Sequence, residues 1–136
     1  MEADIVVDIH NPDDIVAARK AGHQLAVDLG FSLTDVTMVA TAISEIARNI
    51  TSYAGRGAVH IAVADREGRK ALVVRAEDQG PGIADIDRAM EDGYTTGRGL
   101  GLGLPGARRL MDRLLVESAL GRGTVVEMWK WVPSGA

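Results

Sequence analysis

Glu45 and Asn49 are four residues apart in a segment whose apolar residues recur at helical spacing, so both side chains project from one helical face, one turn apart. A carboxylate and an amide stacked this way can divide a transfer reaction between them. Glu45 can accept a proton from an attacking hydroxyl. Asn49 offers a neutral carbonyl oxygen, which suits Mg²⁺ when phosphate oxygens and water supply the other ligands. A solvated helical face can carry such a pair by chance, so the weight falls on what accompanies it.

Two glycine-bearing segments accompany it. Asp78-Gln-Gly-Pro-Gly82 follows an apolar strand. There Gly80 and Gly82 let the backbone come close to a flat ligand, while Asp78 can accept a hydrogen bond from an amino group, as adenine would present. A plain turn would use the same residue types. Gly97, Gly99, Gly101, Gly103 and Gly106 are denser than a turn needs and run directly into a helix start. Free N–H groups and the helix dipole make that junction an anion cradle, suited to phosphate. Gly101, Gly103 and Gly106 also satisfy the G-x-G-x-x-G dinucleotide pattern, but Gly93-Tyr-Thr-Thr-Gly-Arg98 precedes them where that fingerprint requires an apolar strand. The chain has no G-x-x-x-x-G-K-[ST], H-R-D or D-F-G element and no serine in a nucleophile elbow.

The elements that must position these residues follow from periodicity. Ile5, Val7 and Ile9 alternate with polar residues and predict a strand ending at Asn11-Pro12. Asp13 and Asp14 then start a helix whose apolar positions run from Ile15 to Leu29 and stop at Gly30. Ser32 or Thr34 can cap a second helix, with Val36, Val39, Ala40, Ile43, Ala47 and Ile50 on its apolar side, ending before Gly55. Strands at Ala58–Ala64 and Ala71–Ala76 read as a hairpin across Asp65-Arg-Glu-Gly68. A short helix over about Asp85–Asp92 is expected, then a glycine-rich stretch, then a helix with Pro105 in its first turn carrying Leu110, Met111 and Leu114. Leu115–Ser118 and Val125–Trp131 close the chain as strands, with Trp129 and Trp131 on one side as core or sheet-surface packing. Elements in runs predict an α+β two-layer sandwich, a mixed or antiparallel sheet with helices on one face.

Bulk properties exclude other classes. The chain has 136 residues, 46% apolar and 25% charged, which suits one domain spanning 1–136. Without cysteine there are no disulfides or thiolate ligands, and His10, His23 and His60 are too scattered to form a metal cluster, so any metal should be oxygen-bound. A net charge of −4 with no basic run argues against nucleic acid. No apolar run approaches the roughly 20 residues of a membrane span and the start lacks a signal-peptide pattern, so no membrane association and a cytoplasmic location are expected.

Taken in order, Glu45-Ile-Ala-Arg-Asn49, Asp78-Gln-Gly-Pro-Gly82, Gly99-Leu-Gly-Leu-Gly103 and Gly123-Thr124 resemble the four ATP-site boxes of the GHKL ATPase and kinase superfamily. Asp14-Ile-Val-Ala-Ala-Arg19, Met90-Glu-Asp-Gly93 and Arg109-Leu-Met-Asp112 extend the likeness, over nearly the whole chain, to the stressosome switch kinases of the RsbT type. The resemblance implies an ATP- and Mg²⁺-dependent serine/threonine protein kinase. Its substrates would be STAS-domain scaffold or antagonist proteins, and it would then bind and activate a PP2C-type phosphatase. It implies Glu45 as general base, Asn49 as Mg²⁺ ligand and Asp78 as partner of the adenine amino group. Gly80 and Gly82 would shape the adenine pocket, Gly99, Leu100, Gly101, Leu102 and Gly103 would close over the phosphates, and Thr124 would support the Asp78 end. An anti-sigma factor kinase of the same superfamily, or a nucleotide-sensing adaptor without transferase activity, are the alternatives. Arg48, beside Asn49, departs from the wider superfamily; an exposed ion pair is its expected role.

Overall fold

The computed structural model describes residues 5–80, 103–118 and 121–133. The expected helix at about Asp85–Asp92 and the glycine-rich stretch up to Leu102 lie outside the described residues. Strand β1 (Ile5–Ile9) leads into helix α1 (Pro12–Asp28). The entry to α1 is fixed by a reciprocal cap: Asn11 Oδ1 accepts from the Asp14 N–H at 3.2 Å, and Asp14 Oδ2 accepts from the Asn11 N–H at 3.2 Å. Pro12 at the first helical position needs no N–H partner. Helix α2 (Leu33–Asn49) is capped by Ser32, whose hydroxyl accepts from the Asp35 N–H at 3.1 Å, so of the two expected caps Ser32 is the one used. Past Asn49 the chain makes a π-helical turn, Ile50–Ala54, rather than continuing as α-helix to Gly55.

Strands β2 (Gly57–Arg66) and β3 (Arg69–Asp78) form the expected hairpin, longer than the sequence pattern implied. Its turn is only two residues, Glu67 and Gly68, both at positive φ (57° and 81°), the geometry whose twist matches paired antiparallel strands. Helix α3 (Gly103–Leu110) precedes strands β4 (Arg113–Ser118) and β5 (Thr124–Trp131). Leu114, expected on the helix, is the second residue of β4. The chain turns at Met111–Asp112 because Asp112 joins β5: its N–H donates to Trp129 O at 2.9 Å and its Oδ2 accepts from the Trp131 N–H at 2.7 Å.

The sheet order is β1-β2-β3-β5-β4, and of the two arrangements left open by the sequence, every described pairing is antiparallel. One face is packed by the helices. Val59, Ile61, Leu72, Val74, Val126 and Met128 alternate inward and meet Val36, Val39, Ile43 and Ile46 from α2 and Ile50 from the π-helical turn in one buried cluster. Each such side chain contributes roughly 1.5–3 kcal/mol by leaving water. The opposite face carries a small cluster of Ala71, Val73 and Trp129, with Trp131 packed against it. Arg66 lies over the Trp129 ring and Arg69 over Trp131, at 5.3 and 4.6 Å from the centroids, so both tryptophans serve sheet-surface packing.

Candidate functional site

Period-two alternation along β3 and β5 sends Leu72, Val74, Ala76 and Asp78, and opposite them Lys130, Met128, Val126 and Thr124, to the helix-covered face. Asp78 and Thr124 are thus direct cross-strand partners at the end of this row. Asp78 is half-buried, and its Oδ1 accepts from the Gly80 N–H at 2.9 Å, which fixes the carboxylate against the following loop. Among the described residues its Oδ2 takes no hydrogen bond, leaving an acceptor for a ligand's amino group. Ser118 completes this end. Its hydroxyl donates to Gly123 O at 2.9 Å and lies 2.9 Å from Thr124 Oγ1, so Thr124 supplies the proton between them.

Glycine is required around Asp78 because backbone approaches backbone there. A Cβ on Gly123, at φ 81°, would run into the Asp78 carbonyl oxygen. One on Gly80 would stand 2.6 Å from Ala54 Cβ, and one on Gly57 would meet Glu77 O and Ile50 Cγ2. These contacts join the Asp78 end of β3 to the segment just past Asn49, since Ile50 follows Asn49 directly and Ala54 closes the π-helical turn. Helical irregularities of this kind are frequent at functional sites.

Met38, Ala42, Glu45 and Asn49 alternate spacings of four and three along α2 and so form one stripe. Ala42 is fully buried and Glu45 and Asn49 are half-buried, so the stripe flanks the core rather than facing open solvent. At its other end Met38 Sδ lies 3.8 Å from Lys130 Nζ, and that ammonium donates to Leu110 O at the end of α3 at 2.8 Å. The Glu45–Asn49 flank is therefore the α3 side of α2. Gly103 opens α3, whose Leu104 and Ala107 are buried in the core. Gly82, Gly99, Leu100, Gly101 and Leu102 lie outside the described residues.

A family model described as histidine kinase-, DNA gyrase B- and HSP90-like ATPase matches residues 34–134. The chain belongs to this family. Members of it share the GHKL ATPase fold, which the solved structures bear out: the RsbU and RsbW domains of a Mycobacterium tuberculosis protein superpose with a TM-score of 0.65 at 16% identity, covering 98% of this chain and 34% of that one. The catalytic domain of histidine kinase ThkA gives a TM-score of 0.56 at 15% identity, covering 94% and 96% of the two chains. Among curated relatives, the Bacillus subtilis serine/threonine-protein kinase RsbT is 54% identical over 88% of this chain and 90% of its own. An anti-sigma F factor of Thermoanaerobacter is 32% identical over 86% and 85%. The RsbT likeness, nearly end to end in both proteins, supports a protein serine/threonine kinase within the family.

Sequence reasoning singled out Asp78, Gly80 and Thr124, and the fold places them together. It missed Gly57, Ala54 and Ser118 as parts of the same corner. Gly57 opening a strand was the available signal; the other two are evident only once β3, β5 and the π-helical turn meet.

Proposed function

We propose that the chain is an ATP-dependent serine/threonine protein kinase that phosphorylates STAS-domain scaffold or antagonist proteins of a bacterial stress-signalling complex and, on release, activates a PP2C-type phosphatase by partner switching. The observation that carries this is the 54% identity to a serine/threonine-protein kinase across nearly the full length of both chains.

The residues present fit a purine nucleotide and a hard metal ion. Asp78 Oδ2 would accept from the adenine amino group, within a corner whose backbone spacing no residue with a Cβ would keep. Asn49 would hold Mg²⁺ through its amide oxygen; when bound, the ion neutralises phosphate charge. Gly80 and Gly82 would shape the adenine pocket, and Gly103, with Gly99, Leu100, Gly101 and Leu102 before it, would supply N–H groups to the phosphates. Glu45 would take the proton of the incoming Ser or Thr hydroxyl as its oxygen bonds to the γ-phosphorus and the bond to the β–γ bridging oxygen breaks, releasing ADP.

The test is incubation with [γ-³²P]ATP, Mg²⁺ and a purified STAS-domain protein. Label on a serine or threonine of the STAS protein is expected, and Glu45→Gln should lose it while still binding ATP in a calorimeter. Absence of label with the wild-type chain, or undiminished label with Glu45→Gln, would contradict the reading. The 32% identity to an anti-sigma factor favours a second reading, a kinase that holds a sigma factor. Pull-down separates them: a sigma factor retained supports the second, a phosphatase and a scaffold protein the first.

A further inference from the structure

We infer that Arg48 is a positioning residue for the general base: its guanidinium holds one carboxylate oxygen of Glu45 so that the other meets the acceptor hydroxyl. The inference rests on the proposed role of Glu45. Arg48 Nη1 lies 2.9 Å from Glu45 Oε1, three residues earlier on α2. The two partners differ in setting: the Arg48 side chain is 53% exposed and that of Glu45 only 12%. Exposed pairs on a helix ordinarily contribute little, because both side chains remain free to move in water. Here the Glu45 side chain is mostly withdrawn from water, so the bond selects which way its carboxylate points. Among the described residues Oε2 has no hydrogen bond, and it is the oxygen left to accept a proton.

Arg48 suits this task without entering the metal position. Although adjacent to Asn49 in sequence, it stands about 100° round the helix from it, on the outer side. A guanidinium presents a planar fork of N–H donors and no acceptor, so it can restrain a carboxylate without accepting the proton itself. It transfers nothing itself.

Single-turnover transfer from [γ-³²P]ATP to a purified STAS-domain protein, with ATP affinity measured by calorimetry, tests this. Arg48→Met should slow transfer on the order of 10- to 100-fold, as misplacement of a reacting group does, with ATP affinity unchanged. Arg48→Lys should recover part of the rate. On the residual transfer that Glu45→Gln retains in a single turnover, Arg48→Met should cost nothing further, because its only route is through the carboxylate. A wild-type rate for Arg48→Met while Glu45→Gln is impaired overturns the inference alone. Loss of ATP affinity matching the loss of rate also overturns it, making Arg48 a phosphate contact. Normal transfer by Glu45→Gln removes the base reading and this inference together.

Discussion

At one end of the core-facing row shared by β3 and β5, Lys130 stands opposite Leu72; at the other, Asp78 stands opposite Thr124. Alternation demands apolar residues at both ends, and both break the rule with a charge. Lys130 is satisfied by its own chain, donating to Leu110 O at 2.8 Å, with Asp35 Oδ1 at 3.8 Å. It ties the end of α3 and the start of α2 to the sheet. Among the described residues Asp78 is engaged on one oxygen, by Gly80, and it is surrounded by glycines that allow a close backbone corner. A core charge whose bonds are all internal is structural; one left with spare capacity is prepared for something that arrives.

The largest effect should come from Asp78→Asn. The amide oxygen can still accept from Gly80, so folding stability should barely change, but the second oxygen becomes a donor facing an amino donor. ATP affinity should fall on the order of 100-fold, as for loss of a charge-assisted bond. Titration calorimetry measures this, and equal affinity in the two proteins would dissolve the contrast with Lys130.

The reverse pattern is expected at the other end. Lys130→Met keeps the aliphatic stem but leaves Leu110 O and Asp35 without the ammonium, costing about 2 kcal/mol. Six residue steps along β5, about 20 Å, separate it from Thr124, so ATP affinity should not change. Urea denaturation and calorimetry on the same sample decide. An ATP defect with unchanged stability would make this end part of the site.

These ends also show what the sequence conveys and what it withholds. Helices α1 and α2 were legible because apolar spacing and the polar residues at their starts, Asp13 and Asp14 for α1 and Ser32 for α2, are local signals. The Glu45–Asn49 stripe is local too, a matter of spacing within one helix. Leu114 was misplaced because Leu110, Met111 and Leu114 keep helical spacing, whereas the break at Asp112 comes from hydrogen bonds to Trp129 and Trp131, far along the chain. Lys130 was invisible for the same reason: its partners Leu110 and Asp35 belong to other elements. Around Asp78, the motif showed the acceptor and Gly80, but the need for Gly57 and Gly123 arises only when β2, β3 and β5 bring their backbones together.

The smallest effect should come from Thr124→Val, which shares Asp78's end of the row. Valine matches threonine in shape and suits a strand, so the change removes one hydroxyl and little else. That hydroxyl supplies the proton shared with Ser118 Oγ, 2.9 Å away, and Ser118 retains its bond to Gly123 O. The cost should be about 1 kcal/mol, the usual net value of a neutral hydrogen bond, read as a lower urea midpoint at unchanged slope. ATP affinity should weaken less than in Asp78→Asn, because Thr124 acts through the strand that Asp78 pairs with. A loss as large as that of Asp78→Asn would instead place the Thr124 hydroxyl on the nucleotide itself, and the spare capacity at this end would belong to both residues.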